Sequence, residues 1–289
     1  MREVAIVTDT TACIPVEQVT DCDIEIVPVQ LIIGDRIYRD GIDISPAEFY
    51  ARLRRAEKAP TTSSSSPAPY LEAYRNAARR ARSVLCLTEP SRFSAMFNSA
   101  TVAREMAGET LGDVAIDVIE CTTAAAGQGL VAVSAARAAM QDRPFEDVRR
   151  VAVDTMSKVN LFATLDTLNY LARSGRVPQA AALVNSIFNI KPIFTLNHSD
   201  AHTVALPRST KSAVKRMLKL MESSVAGGKS LHVAVMHADA PEQAAALKNR
   251  IAARFDCTEI FLTEFTPVMG VHTGPGLIGV AFYSEDIPV

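Results

Sequence analysis

An imidazole beside a hydroxyl near the end of the chain, in His272-Thr273-Gly274-Pro275-Gly276, is the stretch richest in chemical content. Pro275 fixes its own φ and biases Gly274 away from helix, while Gly276 supplies the freedom that a sharp bend needs. His272 and Thr273 are therefore expected in a rigid turn, with both side chains held. A histidine in such a turn is by default an ordinary surface residue, and what sets His272 apart is its company. Two hydroxyl-rich segments lie far upstream, Pro60-Thr61-Thr62-Ser63-Ser64-Ser65-Ser66-Pro67 and Ser91-Arg92-Phe93-Ser94. The second follows Ser83-Val84-Leu85-Cys86-Leu87, which reads as a buried strand, and leads into Phe93 to Met106, with apolar residues at helical spacing. Ser94 is thus expected in the first turn of a helix, where unpaired N–H groups and the positive end of the dipole favour a carboxylate or phosphate. Ser91 is explained equally well as a helix N-cap. With His272, the two segments are suited to form an anion pocket.

Other motifs have plainer accounts. The four-serine run has the composition of a linker, but it is bracketed by Pro60 and Pro67 and separates two helices of one α/β unit. Gly227-Gly228-Lys229-Ser230 resembles the end of a phosphate loop, yet it closes a helix and opens a strand, so a helix C-cap is the better account. His198-Ser199-Asp200-Ala201-His202 holds metal-ligand residue types at a hairpin tip, where Asn, Ser and Asp are ordinary turn residues. Asp9 follows the first strand, at the edge where open α/β sheets place ligands; capping the next turn is its other role. Gly127 and Gly129, beyond Cys121-Thr122-Thr123, suggest close packing. Ser94 with His272 invites a comparison with serine hydrolases, but Arg92-Phe93-Ser94-Ala95-Met96 lacks the flanking glycines of a nucleophile elbow.

The elements that must position these residues alternate. Strands are expected near Val4–Thr8, Val84–Leu87 and Ala115–Ile119, and helices near Pro46–Glu57, Pro69–Arg82, Ser94–Met106 and Ala124–Met140. Such alternation implies a mostly parallel sheet covered by helices. Ile24 to Ile33 and Arg36 to Arg39, bent at Gly34-Asp35, read as a hairpin placed to leave the first sheet and pack on the second half. After a helix at Phe145–Met156 the order changes. Strands at Val159–Ala163, Lys191–Leu196 and His202–Leu206 include one antiparallel pair, followed by helices at Ser209–Val225 and Pro241–Phe255 and strands at Leu231–Met236, Glu259–Leu262 and Leu277–Phe282. The fold class is α/β in two domains, residues 1–156 with a mostly parallel sheet and residues 157–289 with a mixed sheet flanked by helices.

Composition narrows the function classes. A chain of 289 residues with a hydrophobic fraction of 48% supports two well-formed cores. A formal charge of −2 shows no bias toward nucleic acid, and Arg52-Leu53-Arg54-Arg55 and Arg79-Arg80-Ala81-Arg82 read as solvated helix faces. The N-terminus lacks a secretory pattern and no run of 18 apolar residues occurs, so cytoplasmic residence is expected. Five scattered cysteines, Cys13, Cys22, Cys86, Cys121 and Cys257, read as reduced and mostly buried thiols, with neither a metal site nor a cofactor implied.

The ordered set of motifs resembles the DegV family of bacterial fatty-acid-binding proteins over most of the chain. Val7-Thr8-Asp9-Thr10-Thr11 is similar to the family's opening Thr-Asp-Ser turn, Tyr38-Arg39-Asp40-Gly41 to its Tyr-x-Asp-Gly hairpin and Pro60 to Pro67 to its Thr-Ser loop. Leu171 to Arg176, Asn189-Ile190-Lys191-Pro192-Ile193 and His272 to Gly276 follow in the family's order. The chain departs from the pattern at Ser94-Ala95-Met96, where Ser-Gly-Thr is usual, at Ser174-Gly175-Arg176, where Gly-Gly-Arg is usual, and at Ser64-Ser65, which replace Gln-Pro.

The resemblance implies a non-catalytic carrier that binds one long-chain fatty acid, with Thr62, Ser63, Ser94, His272 and Thr273 around its carboxylate. It implies a separate ATP-dependent kinase subunit as partner, making an acyl-phosphate for phospholipid synthesis, and is compatible with transient membrane contact. Arg176 and Arg208 fall where they would face the head group or the partner. Phe93, Phe97, Phe162, Leu165 and Leu168 are candidate tunnel residues, as are Ile187, Phe188, Ile190, Ile193 and Met269, although each is explained as well by plain core. A hydrolase of acyl esters using Ser94 and His272, a small-carbonyl binder resembling the dihydroxyacetone kinase substrate subunit, and a protein-interaction module are the competing readings.

Overall fold

The alternation of short apolar runs and helical segments builds, in the computed structural model, two main sheets with helices between and outside them. The structure describes residues 1–63, 66–184, 190–225 and 230–284. In chain order the first half comprises β1 (Arg2–Asp9), α1 (Val16–Asp21), β2 (Glu25–Val27), β3 (Gln30–Ile33), β4 (Arg36–Arg39), α2 (Pro46–Leu53), β5 (Thr61–Ser63), α3 (Pro67–Ala78), β6 (Ala81–Thr88), α4 (Met96–Gly108), β7 (Ala115–Glu120), α5 (Ala126–Met140) and α6 (Phe145–Lys158). The second half comprises β8 (Asn160–Thr164), α7 (Asn169–Ser174), α8 (Pro178–Val184), β9 (Ile193–Asn197), β10 (Asp200–Ala205), α9 (Thr210–Ser224), β11 (Leu231–His237), α10 (Pro241–Ala252), β12 (Cys257–Glu264), α11 (Pro267–Thr273) and β13 (Ile278–Ser284).

The first sheet has the order β2-β1-β6-β7 and is parallel throughout. The second has the order β10-β9-β8-β13-β11-β12 and is antiparallel except where β11 lies beside β12. These are the parallel and mixed sheets that the element order implies. A small antiparallel sheet, β4-β3-β5, stands apart. The stretch Ile24–Ile33, expected as one hairpin arm, is divided at Pro28, which has no N–H to give a ladder. Glu25–Val27 joins the edge of the first sheet, and only Gln30–Ile33 pairs with Arg36–Arg39. The hairpin then packs on α11 of the second half, as expected. The helix expected over Pro69–Arg82 ends at Ala78, because Ala81 is already paired with Arg2 in the sheet.

Side-chain parity sorts the core into layers. Ala5, Val7, Val84 and Cys86 face α3 and α4, meeting Tyr70, Tyr74, Ala100 and Ala103. Val4, Ile6, Leu85 and Leu87 face the other way, onto α5, whose opposite side meets Ala234, Met236 and Ala281 of the second sheet. Phe162, Val233, Val235 and Val280 point outward under α9 and α10. Helix α5 is therefore a shared middle layer, which explains why most of its residues are buried and why it is apolar all round instead of amphipathic. Its one charged residue, Arg137, donates to both oxygens of Glu259 on β12 at 2.5 and 2.7 Å. The boundary expected after residue 156 falls in the last turn of α6, and the apolar cluster around α5 contains residues from both sides of it.

Candidate functional site

Strands β1 and β6 end on the same side of the first sheet, where their carboxyl ends open toward the inner face of β8 and β9. Between them lies a cavity of about 230 Å³. Leu161 and Ala163 on β8 and Phe194 and Leu196 on β9 form one apolar wall. Leu171, Val177 and Leu277 extend it, and Met236 comes in from β11. Phe93 and Met96 flank the start of α4, while Val268 and Met269 come from α11. Successive strand residues point to opposite faces, so Phe162 and Ile193, one position out of step with the wall, belong to the outer core.

Polar side chains from several elements join this lining. Thr62 and Ser63 come from β5, Ser94 from just before α4, His272 and Thr273 from the last turn of α11, Glu89 from just past β6, and Arg176 from beyond α7. The Nε2 atom of His272 lies 3.2 Å from Thr62 Oγ1. Burial, reinforced by the charge on Arg176, pushes the imidazole down to about 4, so His272 is neutral at neutral pH. Thr273 Oγ1 donates to the Met269 carbonyl at 3.1 Å, which commits it to its own helix. Ser94 Oγ accepts the Met96 N–H at 3.2 Å, and its hydroxyl lies near Glu89. Burial pushes the Glu89 carboxyl up to about 8; Asp9 adds to this, and Ser94 and Arg176 oppose it. Arg176 Nη1 donates to the Ser174 carbonyl at 2.7 Å, and its Nε lies 3.4 Å from the Phe93 carbonyl oxygen.

The structure brings Thr62, Ser63, Ser94, His272, Thr273 and Arg176 to one cavity and leaves Arg208 exposed, away from its lining. Several local expectations change. His272 and Thr273 end a short helix instead of sitting in a turn; the turn follows them, with Gly274 at φ 66° and Gly276 at φ 87°. A side chain on Gly274 would run into the Tyr170 ring. Thr62 lies in a strand, not a loop, opposite Leu31 of β3, and Ser64 and Ser65 lie outside the described residues. Ser94 precedes α4 instead of standing in its first turn, because Ala95 is the residue that caps it. Ser91 is not the N-cap either: its N–H and hydroxyl both meet Glu120 at 2.7 Å.

Of the expected tunnel residues, Phe93, Leu165 and Met269 line the cavity; Phe97, Phe162, Leu168, Ile190 and Ile193 do not, and Ile187 and Phe188 lie outside the described residues. Sequence reasoning missed Glu89 and the β9 wall. The period-2 pattern of Phe194 and Leu196 was the available signal for the wall, whereas Glu89 gave none, since a lone glutamate after a strand is ordinarily exposed.

The remaining motifs take structural roles. Asp9 caps the short 3₁₀ turn Thr10–Ala12, accepting from the Thr11 N–H and from Tyr70 Oη, both at 3.0 Å. A Cβ on Gly129 would stand 2.6 Å from the Ala12 carbonyl oxygen, which accounts for glycine in α5. His198 and Ser199 form the β9–β10 turn, with φ of 48° and 59°. Four of the five cysteines are buried. Among the described residues no cluster of three acidic, cysteine or histidine side chains suits a metal, and no helix is long and apolar enough to cross a membrane. Arg54 pairs with Asp239, Arg80 with Glu25 and Arg82 with Glu3, so these basic residues are engaged in ion pairs. Residues 227–229 of the glycine-lysine motif lie outside the described residues.

Comparison with known proteins agrees with this architecture. A DegV domain-containing protein of Streptomyces coelicolor is 31% identical over 286 residues, covering 98% of this chain and 99% of that one. A DegV domain-containing protein of Caldanaerobacter subterraneus is 28% identical, covering 98% of this chain and 99% of its own. A solved structure described as fatty acid binding of a DegV family protein from Thermus thermophilus superposes with a TM-score of 0.90 at 27% identity, over 99% of this chain and 100% of that chain. The structure of DegV from Bacillus subtilis, described as a fatty acid binding protein, gives 0.88 at 25% identity with the same coverage. The family model described as "Uncharacterised protein, DegV family" matches residues 3–285, and the chain belongs to that family.

Proposed function

We propose that this protein binds one long-chain fatty acid, with its tail against the β8–β9 wall and its carboxylate among Thr62, Ser63, Ser94, His272 and Thr273. The observation that carries the reading is an apolar cavity whose lining includes the Thr62–His272 pair, in a fold shared with proteins described as binding fatty acids. Each buried methylene is worth about 0.8 kcal/mol and a neutral hydroxyl hydrogen bond about 0.5–1.5 kcal/mol net, so the tail sets affinity and the head sets register. A neutral His272 donates or accepts one hydrogen bond without bringing a charge, and Arg176 is the cation of the site.

The further step is presentation of the bound acid, in the cytoplasm, to a separate ATP-dependent kinase, with this chain itself non-catalytic. Exposed Arg208, between β10 and α9, is suited to meet that partner. The serine-hydrolase alternative needs Ser94 to meet His272; instead His272 Nε2 faces Thr62, and Ser94 Oγ accepts the Met96 N–H. Lipid extraction and mass spectrometry of the purified protein test the reading. A stoichiometric fatty acid is the expected result; turnover of an ester substrate, or a lipid-free protein that binds no added fatty acid, would overturn it.

A further inference from the structure

The lining of the cavity contains a carboxyl group that an anion-binding site has no obvious use for. Glu89 is only 7% exposed and lines the cavity with Thr62, Ser94, Arg176 and His272. It lies just past β6, in the segment that leads to Ser94, whose hydroxyl is a neighbour. The ionisable groups acting on it are Asp9 at the end of β1, whose own carboxyl burial pushes up, and Arg176 beyond α7. His272 on α11 lines the same cavity, and Tyr70 on α3 reaches Asp9.

A charge count in this space decides what Glu89 can be. Arg176 brings one positive charge and His272, held neutral, brings none. A fatty-acid carboxylate beside Arg176 therefore takes up that one positive charge, and the buried Asp9 carboxyl, itself pushed up, supplies no cation to offset another anion. An ionised Glu89 would put a second carboxylate in the same cavity, and two carboxylates sharing a site cannot both ionise without a large cost. A protonated Glu89 removes that cost and adds a donor where the ligand presents two acceptor oxygens. Burial already favours the protonated form before ligand arrives, and an incoming anion favours it further.

We propose that Glu89 is a head-group residue of the site, holding its proton and donating it in a hydrogen bond to the carboxylate of the bound fatty acid, so that in alkaline solution each acid bound brings one proton with it. This rests on the fatty-acid reading above and adds to it a proton-coupled step: ionised Glu89, a fatty-acid anion and one proton from solvent combine into a pair of carboxyl groups sharing that proton beside Arg176. No covalent bond of the ligand changes. Alkaline release of cargo is the consequence, since the proton is withdrawn from the pair as pH rises.

The test uses dodecanoate, kept below its aggregation limit and already ionised as a monomer above pH 7. Its binding to the wild-type protein and to Glu89→Gln is measured by calorimetry from pH 6.5 to 9.5, in two buffers of different ionisation enthalpy. The expected wild-type result is an uptake near one proton at pH 9 and an affinity that falls above pH 8, by up to about tenfold per unit. Glu89→Gln leaves Asp9, Arg176 and His272 in place, so it is expected to lose both the uptake and the slope. Identical pH profiles in the two proteins, or wild-type binding at pH 9 without proton uptake, overturn the proposal while leaving fatty-acid binding intact. Absence of binding by both proteins at every pH removes the fatty-acid reading, and this inference with it.

Discussion

His272 Nε2 and Thr62 Oγ1 stand 3.2 Å apart although 210 residues separate them in the chain. Their contact ties β5 of the small sheet to α11 and thereby closes the polar side of the cavity. A single hydrogen bond holds little energy, so the pair matters as a gauge of whether the head-group side is assembled.

Thr62→Val and His272→Ala are each expected to weaken fatty-acid binding by about three- to tenfold, equivalent to one hydrogen bond of roughly 1 kcal/mol. Because the two side chains share that bond, the double variant should lose less than the sum. Displacement of a fluorescent fatty acid, with melting curves to confirm folding, measures the coupling; fully additive losses would show that the pair does not act as a unit.

Gly274 holds φ 66° with ψ −178°, a conformation that glycine adopts and other residues resist, and the Tyr170 ring fills the space where a side chain would stand. Gly274→Ala is expected to cost about 1–3 kcal/mol of stability and to loosen the end of α11 that carries His272. Urea denaturation reads the first effect and fatty-acid affinity the second. A variant as stable as the wild type contradicts the close approach.

Stability should depend on pH through two groups of the site with opposite signs. His272 is held down to about 4, so its contribution is present above its ordinary value of 6.5 and is lost as pH falls from there toward 4. Glu89 is raised from 4.5 to about 8, so the folded state binds the extra proton, and stability from this group is lost as pH rises through that interval. Glu89→Gln should match the wild type near pH 4 and exceed it by about 2–4 kcal/mol above pH 8. Melting temperatures of the ligand-free proteins at pH 4, 6.5 and 9 check the sign; a variant less stable than wild type at pH 9 would show that the ionised carboxylate is held by favourable contacts.

The tail wall is tested by size. Ala163 is buried on β8 with its side chain toward the cavity, and Ala163→Leu is expected to cut affinity for a sixteen-carbon acid by tenfold or more while a ten-carbon acid is less affected. Overpacking costs about 1–3 kcal/mol, so melting curves accompany the binding curves. Equal losses for both acids would place the tail elsewhere.

The two arginines should separate. Arg176 lines the cavity and is expected to lower lipid affinity when replaced by alanine, whereas Arg208→Ala should leave occupancy unchanged and slow phosphorylation of the bound acid by a partner kinase, more so at low salt. Lipid occupancy and acyl-phosphate formation measured on both variants resolve the assignment. Robust acyl-phosphate from this chain alone with ATP and magnesium would contradict the carrier reading altogether.

The sequence by itself determined much of this. Period-2 and period-3.6 patterns locate the longer strands and helices but not β5, α1, α7, α8 or α11, and the change from alternating strands and helices to closely spaced strands foretells one parallel and one mixed sheet. Residue chemistry and spacing singled out His272, Thr62 and Ser94, because hydroxyl-rich segments and a glycine-proline turn are visible without coordinates. The helix expected over Ala124–Met140 carries one charge, Arg137, so the apolar surface of α5 was legible there too.

Tertiary structure decided the rest, and the reasons are physical. Whether Phe162 or its neighbours Leu161 and Ala163 face the cavity depends on strand parity relative to a second layer, and a one-residue step reverses it. That Ile24–Ile33 splits between two sheets follows from which neighbours complete each ladder, with Pro28 only permitting the break. The meaning of Glu89 is the clearest case. A carboxyl after a strand is solvated by default, and only the packing of β6, the approach to α4 and the Arg176 loop around it makes it buried, changes its proton affinity and places it in the cavity lining.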